Sequence, residues 1–406
     1  MAKATANSHV RTRVYLFFPM LLRVLFTLAA AFLLTDLRAA DSAETEKHPI
    51  KIGAIFSETG IAAPHNLPLI DMTRLAVEHI NTQGGLLGRP LQLLIFDNAS
   101  TPIGSALAAQ KALAADVVAV IGAHWSSHSL AMAPIFQEAG IPMITPGSTN
   151  PDVTKGKSFI FRACFIDSFQ GLAMAKFVTQ ELQARSAAVV TNIDEDYSTM
   201  LGQFFANAFK DAGGRIVMES GYRGTATDFS AIIRELISQR PEVVYLPGYT
   251  RDSGLFIKQS RKMGLQATFL GGDAWDEIEK YSETSIEGSF QSAPWHPEVP
   301  FAASEAMKKI YEAYRGKAIE NNSSPLAYDA VMLLAAALTR AESLDPRGIR
   351  DALATTVNFQ GATGPITLDN HGDPQNKTII IIEFRNGKRI FRNAINPLPD
   401  ISRQNP

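Results

Sequence analysis

From residue 49 onward the chain alternates short apolar runs with longer amphipathic ones, and it does so twice. Residues 50–56, 91–97, 117–122 and 142–146 read as buried strands, while 67–82, 102–115 and 126–138 repeat apolar residues at helical spacing. Short buried strands that alternate with helices close as a parallel sheet with helices on both faces. The pattern then restarts: strands are predicted at 187–192, 215–222, 243–249 and 268–273, and helices at 198–211, 229–239 and 252–263. The fold class is therefore α/β, with two doubly wound parallel-sheet lobes. Gly84, Gly85, Gly213, Gly214 and Gly264 fall where these helices end, as C-terminal caps of positive φ require.

Beyond Pro297 come helices at 301–314, 326–341 and 347–355 and a strand within 378–387. These are too few for a third domain, so they extend the two halves and carry the chain between them more than once. The expected lobe 1 is 49–162 plus 293–375, and lobe 2 is 163–292 plus 376–395, joined by a multi-strand hinge.

Composition narrows the function. At 406 residues and 46% hydrophobic the chain can bury a full core, and Lys+Arg 38 against Asp+Glu 40 leaves a net charge of -2. That balance offers a nucleic acid nothing to bind. Arg11 and Arg13 precede an apolar stretch at 24–34 that ends in "LRAAD", the order of a secretory signal peptide, so residues 1–40 are set apart from the fold. Arg23 keeps that run shorter than the ~20 residues of a membrane span. Cys164 is the single cysteine, which excludes an internal disulfide, and in "FIFRACF" it reads as a packed strand residue. Neither a nucleophile elbow, a zinc-protease helix, a dinucleotide loop nor a phosphate loop occurs. No catalytic set, metal site or cofactor is expected. A hydrolase of small amides, the rival from another class, lacks a nucleophile with a positioned base.

Ligands of open parallel sheets sit beyond the carboxyl ends of the strands. There the sequence places "SETG", "HWSSHS", "GSTNP", "DEDYS", "YTRDSG" and "DAWDE". In the first half Ser126 and Thr149 supply hydroxyls, and Ser126 opens a helix whose free amides favour a carboxylate; as a plain N-cap it reads equally well. In the second half Tyr197 and Tyr249 supply flat faces, and Asp273 supplies a carboxylate for an ammonium or else a solvated turn. Trp125 suits the core as well as a stack on a ligand, and His124 alone is not a metal site.

With those residues in view, "IKIGAIFSETG", "AVEHINTQGGLLGRPLQLLIFDNAS", "VVAVIGAHWSSHS", "GIPMITPGSTNP" and "DFSAIIRELISQRPEVVYLPGY" make the chain resemble the leucine/isoleucine/valine-binding protein family of periplasmic solute-binding proteins. The resemblance covers nearly all of residues 49–395. It implies a type 1 periplasmic binding fold and a secreted, periplasmic, non-enzymatic carrier of an amino acid or related carboxylate. The implied partner is an inner-membrane ABC transporter permease, and the implied state is monomeric; a periplasmic sensor for a signalling receptor is the alternative. Carried over by position, Ser126 and Thr149 would bind the ligand carboxylate with backbone help from Gly147 and Ser148. Asp273 would meet the ammonium, and Tyr197 and Tyr249 would close over the ligand. The chain departs from the branched-chain pattern at His65, in a proline-containing loop, and at His124 and Trp125 in the pocket wall. Those departures admit a different amino acid, an amide or an aromatic acid.

Overall fold

The computed structural model describes residues 48–375 and 377–396; the signal segment expected at 1–40 lies outside them. The first alternating stretch folds as Ile50–Phe56 (β1), Ala63–Thr82 (α1), Leu91–Asp97 (β2), Pro102–Ala114 (α2), Ala119–Gly122 (β3), Ser126–Ala139 (α3), Met143–Thr145 (β4) and Ile160–Arg162 (β5). Its five strands lie in the order β2-β1-β3-β4-β5, all parallel. Alternation along β1 explains why the sheet needs two covers. Ile52, Ala54 and Phe56 share a core with Leu69 and Leu75 of α1, whereas Ile55 faces Ala108 and Ala112 of α2 and Met132 of α3.

The second stretch gives Asp167–Gln180 (α4), Ser186–Asn192 (β6), Asp196–Asp211 (α5), Arg215–Tyr222 (β7), Ser230–Gln239 (α6), Val243–Tyr245 (β8), Thr250–Lys262 (α7), Thr268–Gly271 (β9), Glu279–Ser282 (α8) and Phe290–Ala293 (β10). Here Ala187 and Val189 pack against Phe177 of α4 and Phe205 of α5, while Ala188 and Val190 pack against Ile233 of α6 and Phe256 of α7. The chain then supplies Ala302–Arg315 (α9), Ser324–Arg340 (α10), Pro346–Ala354 (α11), a small hairpin of Phe359–Gly361 (β11) and Gly364–Ile366 (β12), and finally Ile379–Arg385 (β13) and Lys388–Ile395 (β14).

Helices α9 to α11 return to the first lobe, where Met307, Leu334 and Leu353 join the core of β1 and α1. Helix α10 is apolar nearly all round and buried to match. Strands β13 and β14 join the second sheet, whose order is β14-β13-β10-β9-β8-β6-β7. Among the described residues, three segments cross between the lobes: 163–166, 294–301 and 367–378.

Several sequence expectations need correcting. The second sheet is not wholly parallel, because β13 and β14 run antiparallel at its edge. Helix α1 starts at Ala63 rather than 67, with Pro64 in the first turn where its missing N–H costs nothing, so His65 stands on a helix and not in a loop. Gly84, Gly85, Gly213 and Gly264 do have positive φ. Gly214 does not; it is small because a Cβ there would lie 2.4 Å from the Phe209 ring.

Candidate functional site

Both sheets end their parallel strands toward a shared cleft, so the residues after β3, β4, β6, β8 and β9 meet there. On the first-lobe side, β3 stops at Gly122 and α3 starts at Ser126. The N-cap of α3 is Trp125, with no side-chain capping bond. Ser126 is therefore not the cap: its Oγ accepts the Asn150 N–H at 3.3 Å. The first amides of α3 keep their positive dipole end at the cleft.

The "PGSTNP" corner after β4 is held by hydrogen bonds rather than by its prolines alone. Thr145 Oγ1 donates to Ala123 O at 2.6 Å and accepts Ser148 N–H at 3.0 Å. Ser148 Oγ bonds Ser129 Oγ at 2.7 Å and His124 O at 3.1 Å. Beneath the corner lies Arg162, fully buried at the end of β5. Its guanidinium donates to Ser148 O at 2.7 Å, Asn150 O at 3.1 Å, Thr154 Oγ1 at 2.7 Å and Asp373 Oδ1 at 2.5 Å. One buried cation thus ties together two carbonyls of a tight turn, whose other donors are the Cys164 thiol on Ser148 O and the Val153 N–H on Asn150 O. Gly147 is small for a neighbour's sake, since a Cβ would sit 2.1 Å from His124 Nδ1.

On the second-lobe side, Asp273 follows β9 and is buried, not a solvated turn residue. Its Oδ1 accepts from Tyr197 OH and from Gln170 Nε2, both at 2.9 Å. Burial pushes its carboxyl up to about 6. Gly272 leaves room for this bond, because a Cβ there would lie 2.1 Å from Tyr197 OH. Tyr249 stands at the N-cap of α7.

The two halves touch through an aromatic stack. The Trp125 and Tyr249 rings lie 3.8 Å apart at 14°, and Tyr249 leans on Tyr197 at 5.5 Å. Trp125 is thus both core and cleft wall, with Tyr249 in the second lobe's core cluster. Ser127 Oγ also bridges the cleft, donating to Glu195 Oε2 at 3.0 Å.

The stacked pair borders two chambers. The inner one, about 20 Å³, is lined by Ser126, Gly147, Tyr197, Asp273 and His124 beside the pair. That is room for roughly one water. The outer one, about 230 Å³, is lined by His65, Glu195, Arg251 and Asp252 beside the pair. Seven of the ten expected residues therefore converge on the inner chamber and His65 lies at the outer one. Ser148 and Thr149 stand behind the wall. Ser148 has its N–H, carbonyl and hydroxyl all engaged within the corner. Thr149 Oγ1 is buried beside the Asp167 carboxyl, and His124 Nδ1 is buried with no hydrogen-bond partner among the described residues. Burial drives His124 down to about 3, so its ring is neutral.

Cys164 is buried, with its thiol pushed up to about 12 by desolvation, and no group of three or more His, Cys, Asp or Glu among the described residues could hold a metal ion. Three residues of the site escape sequence reasoning: Arg162, hidden in an apolar strand; Gln170, on a helix without an apolar stripe; and Glu195, visible only as one acid among three in "DEDYS".

A family model described as periplasmic binding protein matches residues 49–388. A leucine-, isoleucine-, valine-, threonine- and alanine-binding protein of Pseudomonas aeruginosa is 29% identical over 348 residues, covering 82% of this chain and 90% of that protein. Among solved structures, a leucine binding protein from Thermotoga maritima is 34% identical with a TM-score of 0.80, covering 86% of this chain and 99% of its own. A branched-chain amino acid transporter substrate binding protein from Streptococcus pneumoniae, solved in complex with isoleucine, is 28% identical with a TM-score of 0.80, covering 86% of this chain and 100% of its own.

Proposed function

The chain belongs to the periplasmic binding protein family, and on that premise we propose that it captures an α-amino acid between its lobes and presents it to an ABC transporter permease. The observation that carries this reading is charge placement. The positive end of α3, with Ser126, and the Asp273 carboxylate line one chamber from opposite lobes. A zwitterion is the small molecule that satisfies both, its carboxylate at the helix terminus and its ammonium on Asp273. Tyr197 holds Asp273 in place and, with Tyr249, supplies the apolar lid.

As drawn together here, the lobes leave the inner chamber too small for an amino-acid head. Binding therefore holds Trp125 and Tyr249 further apart than 3.8 Å, and ligand preference is set by how far that pair can separate. Closure is driven only by the difference in a ligand's affinity for the closed and open forms. We assign the lobes as 49–162 plus 293–375 and 163–292 plus 376–395. Residues 1–40 would direct export to the periplasm, the protein would work as a monomer, and it would catalyse nothing. No helix among the described residues is long and apolar enough to cross a membrane.

Isothermal titration of the purified protein with the standard amino acids tests the reading. Asp273→Asn should abolish binding of ligands that carry an α-amine. Equal affinity for an amino acid and its deaminated analogue would refute the role of Asp273.

A further inference from the structure

The outer chamber is not needed to hold an α-amino-acid head, and its lining has a chemistry of its own. We infer that it is a second subsite that takes a cationic nitrogen at the far end of the same ligand, which makes the ligand class an α-amino acid with a side-chain ammonium or guanidinium. This rests on the α-amino-acid reading above.

Three carboxylates, Asp194, Glu195 and Asp252, line the chamber against one guanidinium, Arg251. Its other charged candidate, His65, is held down to about 4 by burial and so is neutral. The stacked rings of Trp125 and Tyr249 form the inner wall. Carboxylates in such a walled chamber recognise cations through charge-assisted hydrogen bonds. The three acids are not equivalent. Asp194 is engaged by Arg223 at 2.6 Å and by the Gly224 N–H at 3.1 Å. Asp252 is held by Tyr222 OH and by Asn192 Nδ2. Glu195 has one neutral donor, Ser127 Oγ, on Oε2, and its Oε1 has no hydrogen bond among the described residues.

Burial raises the Glu195 carboxyl to about 7, the behaviour of an acid that lacks a cation beside it. Because Trp125 and Tyr249 border both chambers, a single unbranched chain running past the ring edges would join an α-amino-acid head inside to a cation outside. Arg251, half-buried and near enough to Asp252 to lower its carboxyl, is the group that would instead favour a distal carboxylate. With Asp194 taken by Arg223, Glu195 and Asp252 still outnumber Arg251, which decides against that.

The test is titration with lysine, norleucine, glutamate and cadaverine, on the native sequence and on Glu195→Gln and Arg251→Gln, each checked for folding by its melting transition. Lysine should bind about tenfold or more tighter than its near-isostere norleucine, the scale of one charge-assisted hydrogen bond. Glu195→Gln should remove that preference and Arg251→Gln should widen it, so either variant alone still decides if the other fails to fold. Norleucine or glutamate binding as tightly as lysine would overturn the second subsite and leave the amino-acid reading standing. Cadaverine binding that depends on Glu195, with no amino acid bound, would support the cationic chamber and overturn the amino-acid head. If none of the four binds, both fall.

Discussion

Replacing Arg162 with methionine should be the most damaging single change at the site, although Arg162 never reaches either chamber. The methionine keeps the length and removes the charge. Four acceptors lose a charged donor at once: Ser148 O, Asn150 O, Thr154 Oγ1 and Asp373 Oδ1, of which Asn150 O keeps the Val153 N–H and Asp373 Oδ1 the Thr154 hydroxyl. Arg162 is fully buried and the Asp373 side chain is only 12% exposed, so a carboxylate left with the Thr154 hydroxyl but no cation stays largely out of water. Removing one member of a buried pair costs about 3–5 kcal/mol, and the loss of a charged donor on two buried carbonyls adds to that. Urea unfolding followed by tryptophan fluorescence is a direct assay, since Trp295 sits in the first-lobe core. The double change Arg162→Met with Asp373→Asn should recover part of the loss, because the carboxylate charge goes while the two carbonyls still lack the guanidinium. Ligand affinity should fall in both, as the corner behind Ser126 loosens. A loss below about 1 kcal/mol for the single change would refute the idea that this cation holds the corner.

Gly147→Ala should cost about 1–3 kcal/mol and weaken binding, because its Cβ would meet the buried His124 ring at 2.1 Å; a melting temperature equal to wild type would contradict this. Affinity for an amine-bearing ligand should fall as pH drops below about 6, by about tenfold per pH unit, since protonated Asp273 no longer offers a charge. Titration between pH 7.5 and 5 would read it, and a flat profile would exclude Asp273 as the ammonium partner. The free protein should respond with its own sign: a carboxyl raised in the folded state binds its proton more tightly than the unfolded chain does. Its burial penalty therefore appears as pH rises from about 4 to about 6 and stays above that. Trp125→Ala should merge the two chambers and raise affinity for branched side chains relative to wild type, measured by competition; unchanged selectivity would show that the indole does not limit the pocket.

Much of the architecture was legible because buried parallel strands and amphipathic helices leave different periods in a sequence. The strand ends also announced the cleft, since hydroxyl, amide and acidic residues gathered wherever an apolar run stopped. What was hidden had physical reasons. Helix α4 shows no apolar stripe because it is squeezed between the sheet and α5, with Gly171 close enough that a Cβ would lie 2.7 Å from the Phe205 backbone. The antiparallel β13 and β14 are joined by a short turn at Asn386 and Gly387, and a single apolar run does not reveal which way its partner runs. Arg162 was invisible as a support because its partners lie 8 to 211 residues away, in separate loops. Ser126 looked like a cap, which its hydroxyl type permits at any helix start. Only the observed bond to Asn150 separates the two roles.

The return of α9 to α11 to the first lobe bears on the order in which the protein can be completed. Strand β1 is made early, yet its cover includes Leu334 and Leu353, close to three hundred residues later. A nascent chain released to about residue 300 would hold a sheet with one face covered by α1 alone, and such long-range closure is slow. The first lobe can settle only after almost the whole polymer has emerged. A translocon passes only an unfolded thread, and a topology that delays its own first domain keeps the chain in the state that the proposed export would need.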